Sequence, residues 1–304
     1  MKVEDIHDHV AIDTDGQYVV LRGSKLWIFK TDGTFVACRP DLKNTNAVLF
    51  LSDNTAFVEG GMHACHLISL IDGSEIWSCP MPKPIEYTAM KLVSSTDQRY
   101  IYTFYEWHEK FYLVTIDLQQ RELYVCKDTD LLHATKDIAC DENGNPCLLK
   151  SVYREEGDHR VGQNGIEVFR QTESGLCESP AWKNKWEYQN ADLVLGFLDS
   201  TDTVITQQLM VHNLTTDEKY YLLENETEWT SPPYPASECW KDLTGRYLTL
   251  RFWKENVVVD VQKRSVAATY PGEFVWGKLI GNEYWASVGK CVERLPFPSC
   301  VKNI

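Results

Sequence analysis

The sequence contains no apolar, uncharged run long enough to span a bilayer, and its opening residues, MKVEDIHDHVAIDTDG, lack the basic head and apolar stretch of an export signal. These absences predict a cytoplasmic protein with no membrane partner. Basic side chains are also few: 30 Lys and Arg face 44 Asp and Glu, a formal charge of -14 that repels phosphate backbones and anionic lipid alike. Nucleic acid is therefore excluded as a partner class. No stretch carries a convincing long helical period, which leaves an all-β chain, and aromatic side chains are plentiful enough to fill a large core.

Signatures of chemistry are missing too. There is no GxSxG elbow, HExxH helix, phosphate-cradling GxxxxGK[ST] or GxGxxG opening a helix. Ten cysteines suggest a disulfide framework, yet Cys126, Cys140, Cys147 and Cys177 lie in apolar runs of a chain large enough to need no staples, so they read as reduced, packed thiols. In MHACH, at 62 to 66, His63, Cys65 and His66 are metal-binding types, but on a strand 63 and 65 share a face while 66 points away, so a metal site is not expected. DTDG at 13 to 16 and DENGN at 141 to 145 echo calcium loops without the bidentate Glu, and read as hairpin turns.

What the sequence does have is repetition. Short apolar runs before an Asp-containing turn recur as AIDTDGQYVV, LFLSDNTAFV, LVSSTDQRYIY, IACDENGNPCLL, GFLDSTDTVI, WKDLTGRYLTL and GKLIGNEYWASV, spaced about 35 to 55 residues apart, which is propeller spacing. A second set of hairpins falls between them: WIFKTDGTFVA, ISLIDGSEIWS, VTIDLQQRELYV, VFRQTESGLCE, VHNLTTDEKYYL and VVVDVQKRSVAA. Their turns hold Asp, Asn, Gly, Ser or Thr, residues that accept positive φ or hydrogen-bond their own backbone. Two hairpins make one four-stranded antiparallel sheet. The prediction is a single-domain, seven-bladed β-propeller over residues 1–304, with blades near 9–43, 44–89, 90–136, 137–189, 190–238, 239–274 and 275–304. Either SCVKNI or MKVEDI completes the last blade and protects its edge.

Hairpins such as HLISLIDGSEIW and KLWIFKTDGTFV resemble the repeats of the quinoprotein-like β-propellers, a superfamily close in architecture to the WD40 propellers. The family's docking phrase has Ala, Asp, Thr-Gly and Trp at set offsets. Asp72, Gly73 and Trp77 match it, the Thr is missing, and elsewhere the Trp position holds Val36, Leu123 or Val266. The resemblance implies the fold, with Trp77 as blade cement. Quinone binding belongs to members that also carry calcium ligands and often a vicinal disulfide; no adjacent Cys pair occurs in this sequence, so no cofactor is expected.

With strands A to D labelled from the centre of each blade outward, the longest connections all fall on the B-to-C and D-to-A side: 105–110, 153–165, 179–190 and 224–238. Long loops on a rigid scaffold are where binding concentrates, and aromatic anchors dominate interfaces. A non-catalytic platform for a protein or peptide partner is therefore expected, anchored on Tyr105, Trp107, Trp182, Trp186, Trp229 and Tyr234, with Arg154 and Arg160 selecting charge. Trp182, Trp186 and Trp229 could equally lie across the blade tops to cover the core. The alternative is a ligand-binding or hydrolytic propeller with His108, Glu109, Asp158 and His159 at the mouth of the central channel.

Overall fold

Aspartate and glycine turns cut the chain into short strands, and each group of strands folds onto itself before the chain moves on. The computed structural model describes residues 10–297 apart from 61–63, 82–90, 108–109, 127–134, 157–158, 173–174, 179–193, 199, 225–235, 272–274 and 289–290. The first sheet is β1 (Ala11–Thr14), β2 (Tyr18–Arg22), β3 (Leu26–Lys30) and β4 (Phe35–Arg39); the second is β5 (Ala47–Leu51), β6 (Thr55–Gly60), β7 (Ala64–Ser69) and β8 (Glu75–Pro80). The third comprises β9 (Val93–Ser94), β10 (Tyr100–Trp107), β11 (Lys110–Asp117) and β12 (Glu122–Cys126), and the fourth β13 (Thr135–Cys140), β14 (Pro146–Glu156), β15 (His159–Thr172) and β16 (Gly175–Glu178). The fifth is β17 (Val194–Phe197), β18 (Thr203–Thr206), β19 (Met210–Asn213) and β20 (Lys219–Tyr221), and the sixth β21 (Glu238–Lys241), β22 (Tyr247–Arg251), β23 (Glu255–Asp260) and β24 (Ser265–Pro271). The seventh has three described strands, β25 (Val275–Ile280), β26 (Glu283–Val288) and β27 (Cys291–Pro296). Every sheet is antiparallel, with its strands in chain order, and the protein is an all-β, seven-bladed β-propeller. MKVEDI and SCVKNI, the two candidates for the last fourth strand, lie outside the described residues.

Period two explains the packing. Along β2, Val19 and Leu21 join Trp27 and Phe29 of β3 against Ile280, Trp285 and Val292 of the seventh sheet, while Tyr18 and Val20 join Leu26 and Ile28 against Ala56, Val58 and Ile68 of the second. Middle strands therefore have both faces buried and read as unbroken apolar runs, whereas the outer strand β8 alternates with solvent. Sheets in one compact unit, residues 1–81 and 222–304, pack sixth on seventh through Tyr270 and Tyr284, seventh on first, and first on second. In the other unit, residues 82–221, Phe104 and Leu148 join the third and fourth sheets, and Leu149 and Val204 the fourth and fifth.

The turns are built as expected. Asp15 Oδ1 accepts from the backbone of Gln17 (2.8 Å) and Tyr18 (2.7 Å), and Asp141 Oδ1 from Asn143 and Asn145 (2.9 Å each), so both calcium-like phrases are turn caps. The left-handed position that follows is Gly16, Gly144 or Gly245, and in the third sheet Gln98. Asp117 and Asp260 cap the C-to-D turns while accepting from Arg99 and Arg246 at 2.8 Å, and each arginine also lies over the ring of the next residue, Tyr100 or Tyr247. The Gln/Gly-Arg-Tyr triplets at 98–100 and 245–247 are the sequence signal for this device.

Trp77 sits on the outer strand β8 opposite Leu67, only partly buried. Among the described residues the indoles that fill the core are Trp27 and Trp285, which the docking phrase does not single out.

Candidate functional site

The B-to-C hairpins of the third and fourth sheets outgrow the others. β14 and β15 have 11 and 14 residues where most strands have 4 to 6, and their ladder runs out to Glu155–Arg160 and Glu156–His159. β10 and β11 have 8 residues each and pair as far as Trp107–Lys110. The segments 153–165 and 105–110 are therefore not long loops, as the sequence suggests, but strand extensions with two-residue links. Backbone pairing needs no apolar side chains, so charged residues can continue a ladder once a buried blade has set its register.

This places Tyr105 and Trp107 on β10, Arg154 on β14, and His159 and Arg160 on β15. The third and fourth sheets are neighbours in one unit, so these positions stand at the same B-to-C ends of adjacent blades. Trp182, Trp186, Trp229, Tyr234, His108, Glu109 and Asp158 lie outside the described residues. An aromatic that sequence reading passes over is Trp253, 78 % exposed in the turn between β22 and β23, a B-to-C connection of the same kind; its signal was FWKEN within a hairpin.

At the inner strands, acidic residues work as clasps. Asp13 on β1 accepts from Arg22 on β2 and from Lys278 Nζ on β25 at 3.0 Å, and Arg22 in turn donates to the carbonyls of Thr45 and Asn46 before β5. Burial pushes the Asp13 carboxyl up, but Arg22 and Lys278 beside it outweigh that and hold it at about 2. In the other unit Asp137 on β13 accepts from Lys91 Nζ (2.9 Å), from Ile138 N and from Phe197 N (2.8 Å each). Each aspartate ties together three successive sheets.

Beside the Asp13 clasp is a recess of about 340 Å³, its open mouth included, lined by Thr14, Trp240, Lys241, Leu243, Lys278 and Leu279 among others. It lies at the A-to-B turn ends of the first, sixth and seventh sheets. Burial pulls the Lys241 ammonium below the ordinary lysine range, and Leu243 at the rim is 61 % exposed.

His66 Nδ1 is 2.8 Å from Glu75 Oε2 on the outer strands, and His212 Nε2 is 3.1 Å from Asp217 Oδ1, with burial pulling the His212 imidazole down. Cys65 and His66 point to opposite faces, one fully buried and the other paired to Glu75, as strand alternation requires; His63 lies outside the described residues. Among the described residues no three His, Cys, Asp or Glu side chains converge to hold a metal ion, and no helix is long and apolar enough to cross a membrane.

No protein-family model matches the sequence, and no curated protein matches it. Among solved structures the chain is similar to the WD40 domain of Neurospora crassa Pan2, with 14 % identity and a TM-score of 0.53 over 88 % of this chain and 75 % of that one. The chain has the fold of a WD40-type β-propeller. At that identity the likeness speaks for the architecture alone. The extended hairpins of the third and fourth sheets are where the chain departs from the plain blade.

Proposed function

We propose that this WD40-like propeller is a single, non-catalytic cytosolic platform that binds a protein or peptide partner across the B-to-C ends of its third and fourth blades. The observation that carries the reading is the continuation of β10–β11 and β14–β15 beyond the ordinary strand length. An antiparallel arm rooted in a packed sheet presents its residues with little ordering left to lose on docking. Tyr105 and Trp107 supply aromatic character, and Arg154 and Arg160 supply cationic character in an otherwise acidic chain. The B-to-C and D-to-A residues Trp182, Trp186, Trp229 and Tyr234 extend the same proposed face. Within the propellers, Asp72, Gly73 and Trp77 support a quinoprotein-like kinship without its cofactor.

The test is site-specific photocrosslinking from positions 107 and 160, with position 243 as a control at the other strand ends. The partner captured from 107 and 160 should then lose about tenfold or more in affinity when Trp107→Ala is combined with Arg160→Ala. Crosslinking from 243 alone, or unchanged affinity in the double variant, would remove this face from the reading. The recess at Lys241 and Lys278 favours a second reading, a small anionic ligand. Saturable binding of acidic metabolites that is lost in Lys241→Met would bring it forward.

A further inference from the structure

Three sulfur atoms meet in the second sheet. Cys65 on β7 and Cys79 on β8 are directly opposed partners in the ladder, and Met81, just past β8, brings its Sδ to 3.4 Å from Cys65 Sγ. Both cysteines are free. Opposed residues of an antiparallel pair stand about 4.5 to 5.5 Å apart at Cα, within the roughly 4.4 to 6.8 Å that a disulfide spans. The two thiols are not equivalent. Cys65 is fully buried, whereas Cys79 lies on the outer strand and is partly open to solvent.

We propose that Cys65 and Cys79 are a peroxide-oxidisable dithiol, in which Cys79 is the attacking sulfur and Cys65 the resolving one. The electrostatics agree with that division. The neighbouring Cys65 thiol holds the Cys79 thiol below the ordinary thiol range, while the Cys79 sulfur beside it, together with burial, pushes Cys65 up.

The chemistry balances with a hydroperoxide as oxidant. The Cys79 thiolate attacks one peroxide oxygen, the O–O bond breaks, and a sulfenic acid forms while the departing hydroxide takes up a proton. The Cys65 sulfur then attacks the Cys79 sulfur, the S–O bond breaks and the S–S bond forms. The Cys65 proton leaves with the hydroxide as water. Two thiols are oxidised and one hydrogen peroxide is reduced to two waters. In a reducing compartment the pair rests as dithiol, and a small thiol reductant reverses the bond. The product staples β8, the exposed outer strand, to the strand inside it.

The test uses the full chain, reduced and then treated with hydrogen peroxide, with remaining thiols alkylated before intact-mass measurement and peptide mapping. Oxidised wild type should carry two fewer alkyl groups than the reduced chain and yield a Cys65–Cys79-linked peptide, reversed by dithiothreitol. Cys79 should react about tenfold or more faster than Cys140, whose thiol burial pushes up to about 12. In Cys65→Ser a cyclic 1,3-diketone should trap a sulfenic acid at Cys79, and Cys79→Ser should give neither product at Cys65. The wild-type map is decisive even if Cys65→Ser fails to fold: absence of the linked peptide while other thiols oxidise, or equal rates at Cys79 and Cys140, overturns the proposal.

Discussion

Asp13→Ala is expected to lower unfolding free energy by about 3 kcal/mol, read as a shift in denaturant midpoint, because removing one partner from a largely buried ion cluster strands the others. Asp13 is 14 % exposed, and it faces both Arg22 at 16 % and Lys278 at 26 %. Arg22 keeps its two carbonyl acceptors, so the larger loss falls on Lys278, which has no other acceptor among the described residues. Lys278→Met should cost less than Asp13→Ala, since Asp13 then still has Arg22. The order of the two variants distinguishes a shared clasp from two independent pairs.

The same clasp sets a pH window. Asp13 has an ordinary value of 3.8 and is held at about 2 in the folded chain. The folded state binds its proton less readily than the unfolded one, so the contribution is complete above about pH 4 and disappears as pH falls through about 2. Other depressed carboxylates, Asp117 and Asp260 among them, act in the same direction. An acid titration of stability should therefore fall less steeply in Asp13→Ala than in wild type, and a parallel curve would refute the assignment.

Gly277→Ala should be comparably damaging, about 3 kcal/mol, for a steric reason. A Cβ at that position would meet Tyr284 Oη at 1.9 Å and Cζ at 2.2 Å. Tyr284 cannot retreat: it is fully buried and stacks on Tyr270, with ring centroids 3.9 Å apart and planes 4° from parallel. Its hydroxyl finds no hydrogen-bond partner among the described residues, and burial pushes its ionisation well above the usual tyrosine range. Tyr284→Phe alone should thus be neutral or stabilising by up to about 1 kcal/mol. In the Gly277→Ala background it should recover only part of the loss, because the ring carbon still clashes. Thermal melts of the four proteins in the cycle check both statements.

The blades were legible because each turn announces itself locally. Asp-Gly and Asp-x-Gly phrases fix hairpins within about ten residues, and predicted boundaries such as 44–89 enclose the observed β5 to β8. The arm of the fourth blade was hidden by its own irregularity. Register shifts at Val152–Tyr153 and Tyr153–Glu155 break the two-residue period just where apolar residues give way to YREEGDHR, so the segment reads as a loop. The cysteine pair was hidden by a smaller shift, between Leu67 and Ile68, which displaces the ladder by one residue from what the Asp72-Gly73 turn alone implies. Searching for adjacent cysteines could not find partners fourteen positions apart. The Asp13 clasp has no local signature at all, since Arg22 is near in sequence but Lys278 is not.

That last separation bears on how the chain matures. Lys278 and Asp13 are 265 residues apart, and Val10 N donates to Ser287 Oγ across 277. The unit comprising residues 82–221 is continuous, so it can settle while the ribosome is still making the remainder; the unit that holds the clasp must wait for residues 222–304 to emerge. Nascent chains stalled before Lys278 should already protect Phe104 and Leu149 from proteolysis while leaving Ile12 and Trp27 open to it.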